Sequence, residues 1–433
     1  MFAQRIARNI GWKTLGTLIE KSLRLVLMGL VARALAPAAY GQYNYALNLA
    51  LLAVQMTDLG LGLFLTREIA RDSAPTGRIV GHVFTLKAAL GAGYLVLMGG
   101  ITWWHIGNTY LAWTVALAGL SSLCITTIEA IYQIFRGVQR LKLEARASSL
   151  HAILQLSLVG TGIVWWRHIH PIVSDPMSAM VLVSACMLLA NGTALLYTAR
   201  LALQVARPEY GWSRAMLSRF GREVLPLGIA IVASLVYFKV DVLMLTALRG
   251  DVETGIYSVA YKLFENLSFV PAVLLAATFP ALSQKIQSDP RAAVALHGVT
   301  LRLLIGAGLC AMAGLIALPY LGLQPLIVYA LGAGYGRSIP VLVALAPSVL
   351  LTFVNYLETH MLVALGMVKA QMAVTLALVL VNVGSNLVLI PRFGGVGAAL
   401  ATAATELALF ACCVPMVQYG LRKRIRAAEE ASA

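Results

Sequence analysis

The chain has 433 residues, of which 60% are hydrophobic and 12% are charged, and its formal net charge is +15. Soluble domains carry about 25% charged residues, so this composition excludes a soluble protein of this length. The basic residues lie between long uncharged segments, and membrane topology explains that pattern better than nucleic-acid binding does. The five cysteines all fall in apolar segments without the spacing of metal ligands, so no metal site is predicted.

Twelve membrane-spanning helices are predicted from the charge clusters and the Gly and Pro residues that divide the chain. Uncharged segments such as 34–57 and 303–336 are long enough to supply the roughly 20 residues of a spanning helix. The N-terminus resembles a signal peptide, but Glu20, Lys21 and Arg24 interrupt its apolar part, so we expect a retained first helix. The predicted spans are 12–35, 42–66, 79–103, 109–135, 147–169, 177–199, 222–248, 254–280, 293–319, 338–365, 369–390 and 395–420.

Orientation follows from how the basic residues are distributed between the two sides of the membrane. With the N-terminus in the cytoplasm, 23 of the 33 Lys and Arg residues fall in cytoplasmic connections, five in external connections and five within spans. Cytoplasmic connections of membrane proteins carry an excess of Lys and Arg. The distribution therefore predicts an even number of spans with both termini in the cytoplasm.

The two halves of the sequence share short motifs at equivalent positions. The pattern G-x-Y-x-x-A opens predicted span 2 at residues 41–46 and predicted span 8 at residues 255–260. A second set has the same polarity and internal spacing at the ends of spans 4 and 10: Glu129, Gly137 and Arg140 against Glu358, Gly366 and Lys369. Repeats of six helices share one orientation and are related by an axis along the membrane normal. We therefore predict an all-α polytopic membrane protein with an N-terminal lobe 1–208 and a C-terminal lobe 209–433.

Basic residues within the predicted spans are candidates for a functional site, because a charge in a membrane is unfavourable unless it faces a cavity or a partner. Of the five within the spans, the candidates are Arg24, Lys87, Lys239 and Lys262. One interpretation is a cationic lumen that holds an anionic headgroup, with phosphate as the expected group. The alternative is that pairs such as Glu20–Arg24 and Lys262–Glu265 only fix helix packing. Structural pairs can be replaced by apolar packing at little cost, which favours the lumen.

Acidic residues within the spans leave two interpretations open. Asp58 lies in a Gly-rich part of span 2, where it either binds a proton or sodium ion or caps a broken helix. Glu406, near the middle of span 12, either couples to a cation or hydrogen-bonds a neighbouring helix. Glu129 and Glu358 lie near span ends. We expect these two to pair with basic residues at the membrane interface, namely Arg136, Arg140 or Lys369.

Three parts of the sequence together resemble a known family. They are 37–43 leading through 58–60 to 66–68; Asp241 with 255–263; and 390–402 with Glu406. In this order, and with twelve predicted spans, they resemble the polysaccharide (O-antigen) flippases of the multidrug/oligosaccharidyl-lipid/polysaccharide (MOP) exporter superfamily. The resemblance covers nearly the whole chain.

This resemblance implies a MATE-like fold of two lobes that alternates between inward- and outward-facing states in the cell inner membrane. It also implies a cargo of undecaprenyl-pyrophosphate-linked oligosaccharide, moved from the cytoplasmic to the periplasmic leaflet. The implied headgroup contacts are Arg24, Lys239 and Lys262, with Lys87 as a further candidate. The implied residues for coupling to a proton or sodium gradient, or to the membrane potential, are Asp58, Asp241, Glu265 and Glu406. A monomer is expected to suffice, working alongside other polysaccharide-assembly membrane proteins.

Two other classes compete with this interpretation. A cation-coupled drug antiporter of the same superfamily would need an acid-dominated cavity, whereas the charges within the spans are at least as basic as acidic. A membrane polymerase or glycosyltransferase would need large external loops, and the acidic pair Asp251 and Glu253 stands in a very short connection. The sequence contains no phosphate-binding glycine loop, catalytic triad or metal signature. We therefore expect a transporter, not an enzyme, without a resident cofactor.

Overall fold

The protein is almost entirely helical in the part of the chain that the computed structural model describes, which is residues 2–71, 75–169, 175–317, 319, 321 and 324–432. The helices are α1 Phe2–Val54, α2 Leu61–Ala70, α3 Thr76–Trp104, α4 Thr109–Gly137, α5 Leu141–Ile169, α6 Pro176–Leu203, α7 Arg214–Arg219, α8 Leu225–Arg249, α9 Asp251–Leu267, α10 Phe269–Ser288, α11 Pro290–Ala317, α12 Gln324–Leu331, α13 Ser338–Ala364, α14 Val368–Phe393 and α15 Gly395–Ser432. A π-helical turn, Phe220–Val224, joins α7 to α8. No strand occurs in these ranges, which confirms the all-α prediction.

Eleven helices of the described chain are long and apolar enough to cross a membrane. The first candidate, Ile19–Thr57, has 39 residues, or about 58 Å of helix at 1.5 Å per residue, which far exceeds a hydrocarbon core of about 30 Å. It contains the non-helical residue Ala36, with φ 57° and ψ 169°, directly before Pro37. This kink divides the first candidate into two helices. The first corresponds to predicted span 1, and the second overlaps predicted span 2. Each of the other ten candidates overlaps one predicted span.

The chain forms two compact units, Met1–Lys239 and Val240–Ala433, called here the first and second unit. The first unit includes segment 209–239 because this segment packs on its helices: Glu209 hydrogen-bonds Gly77, and Arg219 pairs with Glu68. These units are defined by compact packing, whereas the two lobes were predicted from repeated sequence motifs. The division into lobes 1–208 and 209–433 stays a prediction.

The tyrosines of the repeated G-x-Y-x-x-A motif are buried in both units. Tyr43 of α1 is 4% exposed, and Tyr257 of α9 is fully buried. The motif alanines, Ala46 and Ala260, are fully buried as well. A small residue one helical turn after a large one lets a neighbouring helix approach closely, as at membrane helix interfaces generally. The motif therefore marks a packing site in each unit.

The segment after α6 lies along α3 and is held there by close backbone contacts. The Glu209 N–H donates to the Gly77 carbonyl at 2.9 Å, and the Gly211 N–H donates to Thr85 Oγ1 at 3.2 Å. A methyl group on Gly81 would lie only 2.0 Å from the Glu209 carbonyl oxygen. Glycine is therefore required at Gly81 for this contact.

We expect Gly81→Ala to detach this segment and to destabilise the first unit by about 2 kcal/mol, because the added methyl overpacks against backbone that cannot rotate away. Cleavage by a Glu-specific protease after Glu209, which is already exposed, should accelerate by about tenfold or more for such a free-energy change. Gly93→Ala in the same helix is the matched control, since a methyl there meets nothing within 4 Å. Equal cleavage rates in the two variants would contradict the proposed contact.

Candidate functional site

A break in the first unit separates α1 from α2 and positions Asp58. A 3-10 turn, Gln55–Thr57, follows α1, and the chain then passes through left-handed backbone at Leu59 (φ 40°) and Gly60 (φ 85°). Left-handed backbone is unfavourable by about 1–2 kcal/mol for a residue with a Cβ such as Leu59, but not for glycine. Gly228 of α8 closes on this turn, where a methyl would lie 2.0 Å from the Leu59 carbonyl oxygen. The break predicted at Asp58 is therefore present and tightly packed.

Lys87 of α3 reaches this break and forms an ion pair with Asp58. Its Nζ lies 3.5 Å from Asp58 Oδ1 and donates to Thr126 Oγ1 of α4 at 3.0 Å and to the Thr57 carbonyl at 3.5 Å. The Lys87 side chain is only 4% exposed, against 27% for Asp58. The structure thus joins a predicted headgroup cation to a predicted coupling acid. It encloses the cation more than the acid.

A cavity of about 310 Å³ opens beside this ion pair, and we call it the first-unit cavity. It is lined by Leu51, Val54, Gln55, Asp58, Gly60, Gly62, Leu63, Ser122, Ile125, Thr126, Glu129, Ala130, Gln133 and Ile231. Small-molecule sites have volumes of about 300–1,000 Å³, so the space suits a small ligand. The cavity lies between α1, α2, α4 and α8, beside the helix break.

Arg24 lies in α1 and pairs with Glu20 one helical turn earlier. Its Nη2 is 3.0 Å from Glu20 Oε1, and its side chain remains 46% exposed. The spacing of four residues predicted this pair. Arg24 is thus paired and accessible at the same time, in contrast to Lys87.

The two glutamates at the span ends have different partners. Glu129 Oε2 lies 4.0 Å from Arg136, whose shorter contact of 2.6 Å is with Glu144. Glu358 of α13 is 1% exposed and lies 3.0 Å from Nε2 of His297 on α11. Arg136, one of the predicted basic partners, therefore lies near Glu129, whereas the observed partner of Glu358 is His297. The Glu358 carboxylate faces α11, a direction that spacing along the sequence does not define.

The remaining basic candidates are half-buried. Lys239 lies in α8, while Lys262 lies in α9 with Glu265 one turn later. All three take part in polar or ring interactions with other residues. Exposure therefore distinguishes Arg24 as the most accessible of the four predicted cations.

Two acidic candidates of the second unit, Asp241 and Glu406, are buried and accept hydrogen bonds. Asp241 of α8 is 2% exposed and accepts hydrogen bonds from the Tyr257 hydroxyl and from the Val242 N–H, the latter at 2.8 Å. Glu406 of α15 is 1% exposed. Its Oε2 accepts from Asn355 Nδ2 of α13 at 2.7 Å. Of the two interpretations of Glu406, the hydrogen bond to a neighbouring helix is thus present.

We expect Tyr257→Phe to lower the free energy of unfolding of the second unit by about 2 kcal/mol, because it removes a hydrogen bond to a buried charged acceptor. The midpoint of thermal unfolding should fall by about 5 °C. Labelling of the buried Cys413 during heating, with the other four cysteines replaced by serine, reports on this unit. Tyr419→Phe, at an exposed tyrosine of the same unit, should shift the midpoint by less than about 1 °C. Equal shifts in both variants would contradict a role for the Asp241 contact.

Two clusters of uncharged polar side chains were missed by the sequence analysis. In the first unit, Asn191 accepts from Gln155 at 2.8 Å, donates to Ser121 at 2.5 Å and lies 2.6 Å from His151 Nε2. In the second unit, Asn386 donates to Asn382 at 3.0 Å, and Asn382 lies 3.4 Å from Thr405. Both clusters contain a pair four residues apart, 151/155 and 382/386. That spacing within apolar spans is the signal that could have identified them.

In the second unit, Glu253 of the acidic pair considered for a glycosyltransferase contacts other helix ends. Glu253 forms an ion pair with Arg337 and accepts from the Gly395 N–H at 3.2 Å, at the start of α15. Within the described ranges, no group of three or more His, Cys, Asp or Glu side chains could hold a metal ion. Glu253 therefore connects helix ends in this unit.

Two comparisons of the amino-acid sequence with known proteins found matches. A sequence model of the family described as polysaccharide biosynthesis protein matches residues 6–285. The chain is 28% identical over 167 residues to the probable flippase AglR of Haloferax volcanii, a match that covers 38% of this chain and only 35% of that relative. The match therefore spans about a third of the length of AglR.

Solved structures of transporters have the same fold. The lipid II flippase MurJ in an inward closed conformation superposes with a TM-score of 0.72 at 15% identity, covering 95% of this chain and 89% of that one. A multidrug resistance MATE family transporter of the MOP superfamily, inward-facing, superposes with a TM-score of 0.71 at 16% identity, covering 97% and 100%. The MATE multidrug transporter DinF-BH gives 0.69 at 14% identity, covering 96% and 95%.

Proposed function

Because the chain belongs to the polysaccharide biosynthesis protein family, we propose that it is a flippase for a polyprenyl-pyrophosphate-linked oligosaccharide. The cargo, with undecaprenyl as the proposed lipid, moves from the cytoplasmic to the periplasmic leaflet of the cell inner membrane by alternating access. Both termini are proposed to be cytoplasmic, since most basic residues fall in connections on that side. The similarity to AglR and to MurJ supports lipid-linked cargo.

The observation that carries this proposal is the accessible cation within α1. Arg24 retains 46% exposure although it is paired with Glu20 and lies in a membrane-spanning helix. A charged residue in a span is unfavourable by about 2.5–3.5 kcal/mol on insertion scales unless water or a partner solvates it. Arginine binds phosphate groups through two parallel hydrogen bonds. We assign Arg24 to the pyrophosphate, with Lys239 and Lys262 as further contacts.

Lys87 has a different proposed part, because it is enclosed. Its ammonium group is already held by Asp58 and Thr126. It therefore contacts the headgroup only when this ion pair opens, as a consequence of conformational change. Asp58, Asp241, Glu265 and Glu406 remain the proposed residues for coupling to a proton or a sodium ion. Catalysis and a resident cofactor have no part in this proposal, and a monomer suffices for it.

One observation favours a second candidate, a cation-coupled multidrug antiporter of the same superfamily. Asp58 and Glu129 both line the first-unit cavity, and an acidic lining suits a cationic drug. The fold similarity to MATE transporters is compatible with this alternative. Against it stands Arg24, since an exposed guanidinium repels a cation.

Native mass spectrometry of the purified protein in detergent separates the two candidates. We expect a polyprenyl-pyrophosphate oligosaccharide to bind one per chain, and an excess of a cationic rhodamine dye not to displace it. The matched control is the same polyprenol joined to the glycan by a direct glycosidic bond, without pyrophosphate. It should bind at least about tenfold more weakly, because a charge-assisted contact is lost. Equal binding of both lipids, together with tight binding of the dye, would instead support the antiporter.

A further inference from the structure

The lining of the first-unit cavity differs from the cationic site proposed for the headgroup. Its polar side chains are two carboxylates, two carboxamides and two hydroxyls, namely Asp58, Glu129, Gln55, Gln133, Ser122 and Thr126. No Lys or Arg occurs among the lining residues of this part of the described chain. Lys87 lies behind the wall, enclosed by Asp58 and Thr126, while Arg136 lies 4.0 Å from Glu129 at the side of the cavity. A phosphate group in this space would meet two carboxylates of like charge.

Several of these polar groups have hydrogen-bonding capacity left for a ligand. Within the described ranges, the side chains of Gln55 and Ser122 make no hydrogen bond. Asp58 uses only Oδ1, which accepts from Lys87. Glu129 contacts Arg136 only at 4.0 Å. The cavity thus offers acceptors and donors together, between the apolar side chains that form the rest of its wall.

We propose that the first-unit cavity binds a sugar ring of the cargo glycan and selects neutral sugars against sugars that carry a carboxylate. Sugar hydroxyls donate to carboxylates and accept from carboxamides, and the apolar wall suits the C–H face of a ring. An acidic sugar brings a further negative charge beside the carboxylates of Asp58 and Glu129, whereas a neutral sugar donates hydrogen bonds to them without this repulsion. This inference rests on the proposed flippase function and adds to it the class of glycan.

The test compares two synthetic cargoes on the same polyprenyl pyrophosphate, one ending in glucose and the other in glucuronate. Transbilayer movement of each is followed in proteoliposomes of the full chain. We expect the glucose cargo to move at least tenfold faster than the glucuronate cargo, and Glu129→Gln to reduce this ratio to threefold or less. Glu209→Gln, which makes the same change at an exposed glutamate of the same unit, is the matched control and should leave the ratio unchanged.

The outcomes distinguish a failure of the proposed sugar selectivity from a failure of the proposed flippase function. Movement of both cargoes at equal rates in the unmodified protein would overturn the sugar selectivity while leaving the flippase function in place. A ratio that Glu129→Gln does not change, or that Glu209→Gln changes as much, would also overturn it. Movement of neither cargo above empty liposomes would contradict the flippase function, and this inference with it. If Glu129→Gln does not fold, binding of the two cargoes to the unmodified protein by native mass spectrometry supplies the same comparison.

Discussion

Asp58→Asn is expected to lower the free energy of unfolding of the first unit by about 3–5 kcal/mol, the usual result when one partner of a buried ion pair is removed. The cation left behind is Lys87, which is 4% exposed and therefore cannot regain water. Its remaining partners, the Thr126 hydroxyl and the Thr57 carbonyl, are neutral. The loss is accordingly much larger than for a surface pair.

Intrinsic fluorescence reports this change selectively, because all seven Trp residues precede residue 240 and lie in the first unit. Heating the detergent-solubilised protein should show a midpoint lower by on the order of 10 °C for Asp58→Asn. Glu209→Gln breaks an exposed pair with Arg78 and should change the free energy of unfolding by less than about 1 kcal/mol.

A double substitution tests whether the loss comes from the pair itself. Lys87→Met combined with Asp58→Asn removes both charges, so no unpaired charge remains in the site. We expect the double variant to be more stable than Asp58→Asn alone by about 2 kcal/mol or more, since the two residues are in direct contact. If the free-energy change of the double variant equals the sum of the changes in Asp58→Asn and Lys87→Met, the two residues do not interact energetically. That result would contradict the ion pair at the helix break.

Arg24→Gln is expected to reduce transbilayer movement of the lipid-linked cargo by about 10–100-fold without unfolding the protein, because a charge-assisted hydrogen bond contributes about 1.5–3 kcal/mol. Arg24 is half exposed, so its removal should change the unfolding midpoint little. Arg24→Lys keeps the charge but loses the planar arrangement of donors. It should retain intermediate activity.

The partner of Arg24 distinguishes a headgroup contact from a structural pair. In Arg24→Gln, Glu20 is left without its cation, which by itself could disturb α1. Glu20→Gln combined with Arg24→Gln removes both charges. If Arg24 binds pyrophosphate, the double variant stays inactive; recovery of movement in the double variant would show that the pair only fixes helix packing.

The helix pattern was predictable because hydrophobic length and charge spacing act locally. The kink before Pro37 separates two predicted spans, and one non-helical residue, Ala36, redirects the chain there. The break at Asp58 was also indicated by its glycines, and Gly60 has the left-handed backbone that only glycine adopts without strain. Local chemistry thus set both features.

The contacts between helices were less predictable, because they depend on how each helix is rotated. The pair Glu20–Arg24 follows from a spacing of four residues within one helix. The pair Lys87–Asp58 joins residues 29 positions apart on different helices, and no sequence period identifies it. The hydrogen-bonded group around Asn191 was missed for another reason. A search for charged residues within spans does not detect uncharged amides, although burying amides without partners is also unfavourable.

The central claim, movement of a lipid-linked glycan between leaflets, is tested most directly in proteoliposomes of the purified protein. A fluorescent polyprenyl-pyrophosphate oligosaccharide is inserted in the outer leaflet, and its protection from a membrane-impermeant quencher is recorded with and without a pH gradient. We expect protection to be faster than in empty liposomes, and to be slower by at least about tenfold in Arg24→Gln than in the unmodified protein. Rates equal to those of empty liposomes for several unrelated glycans, alongside gradient-driven extrusion of a cationic dye, would contradict it.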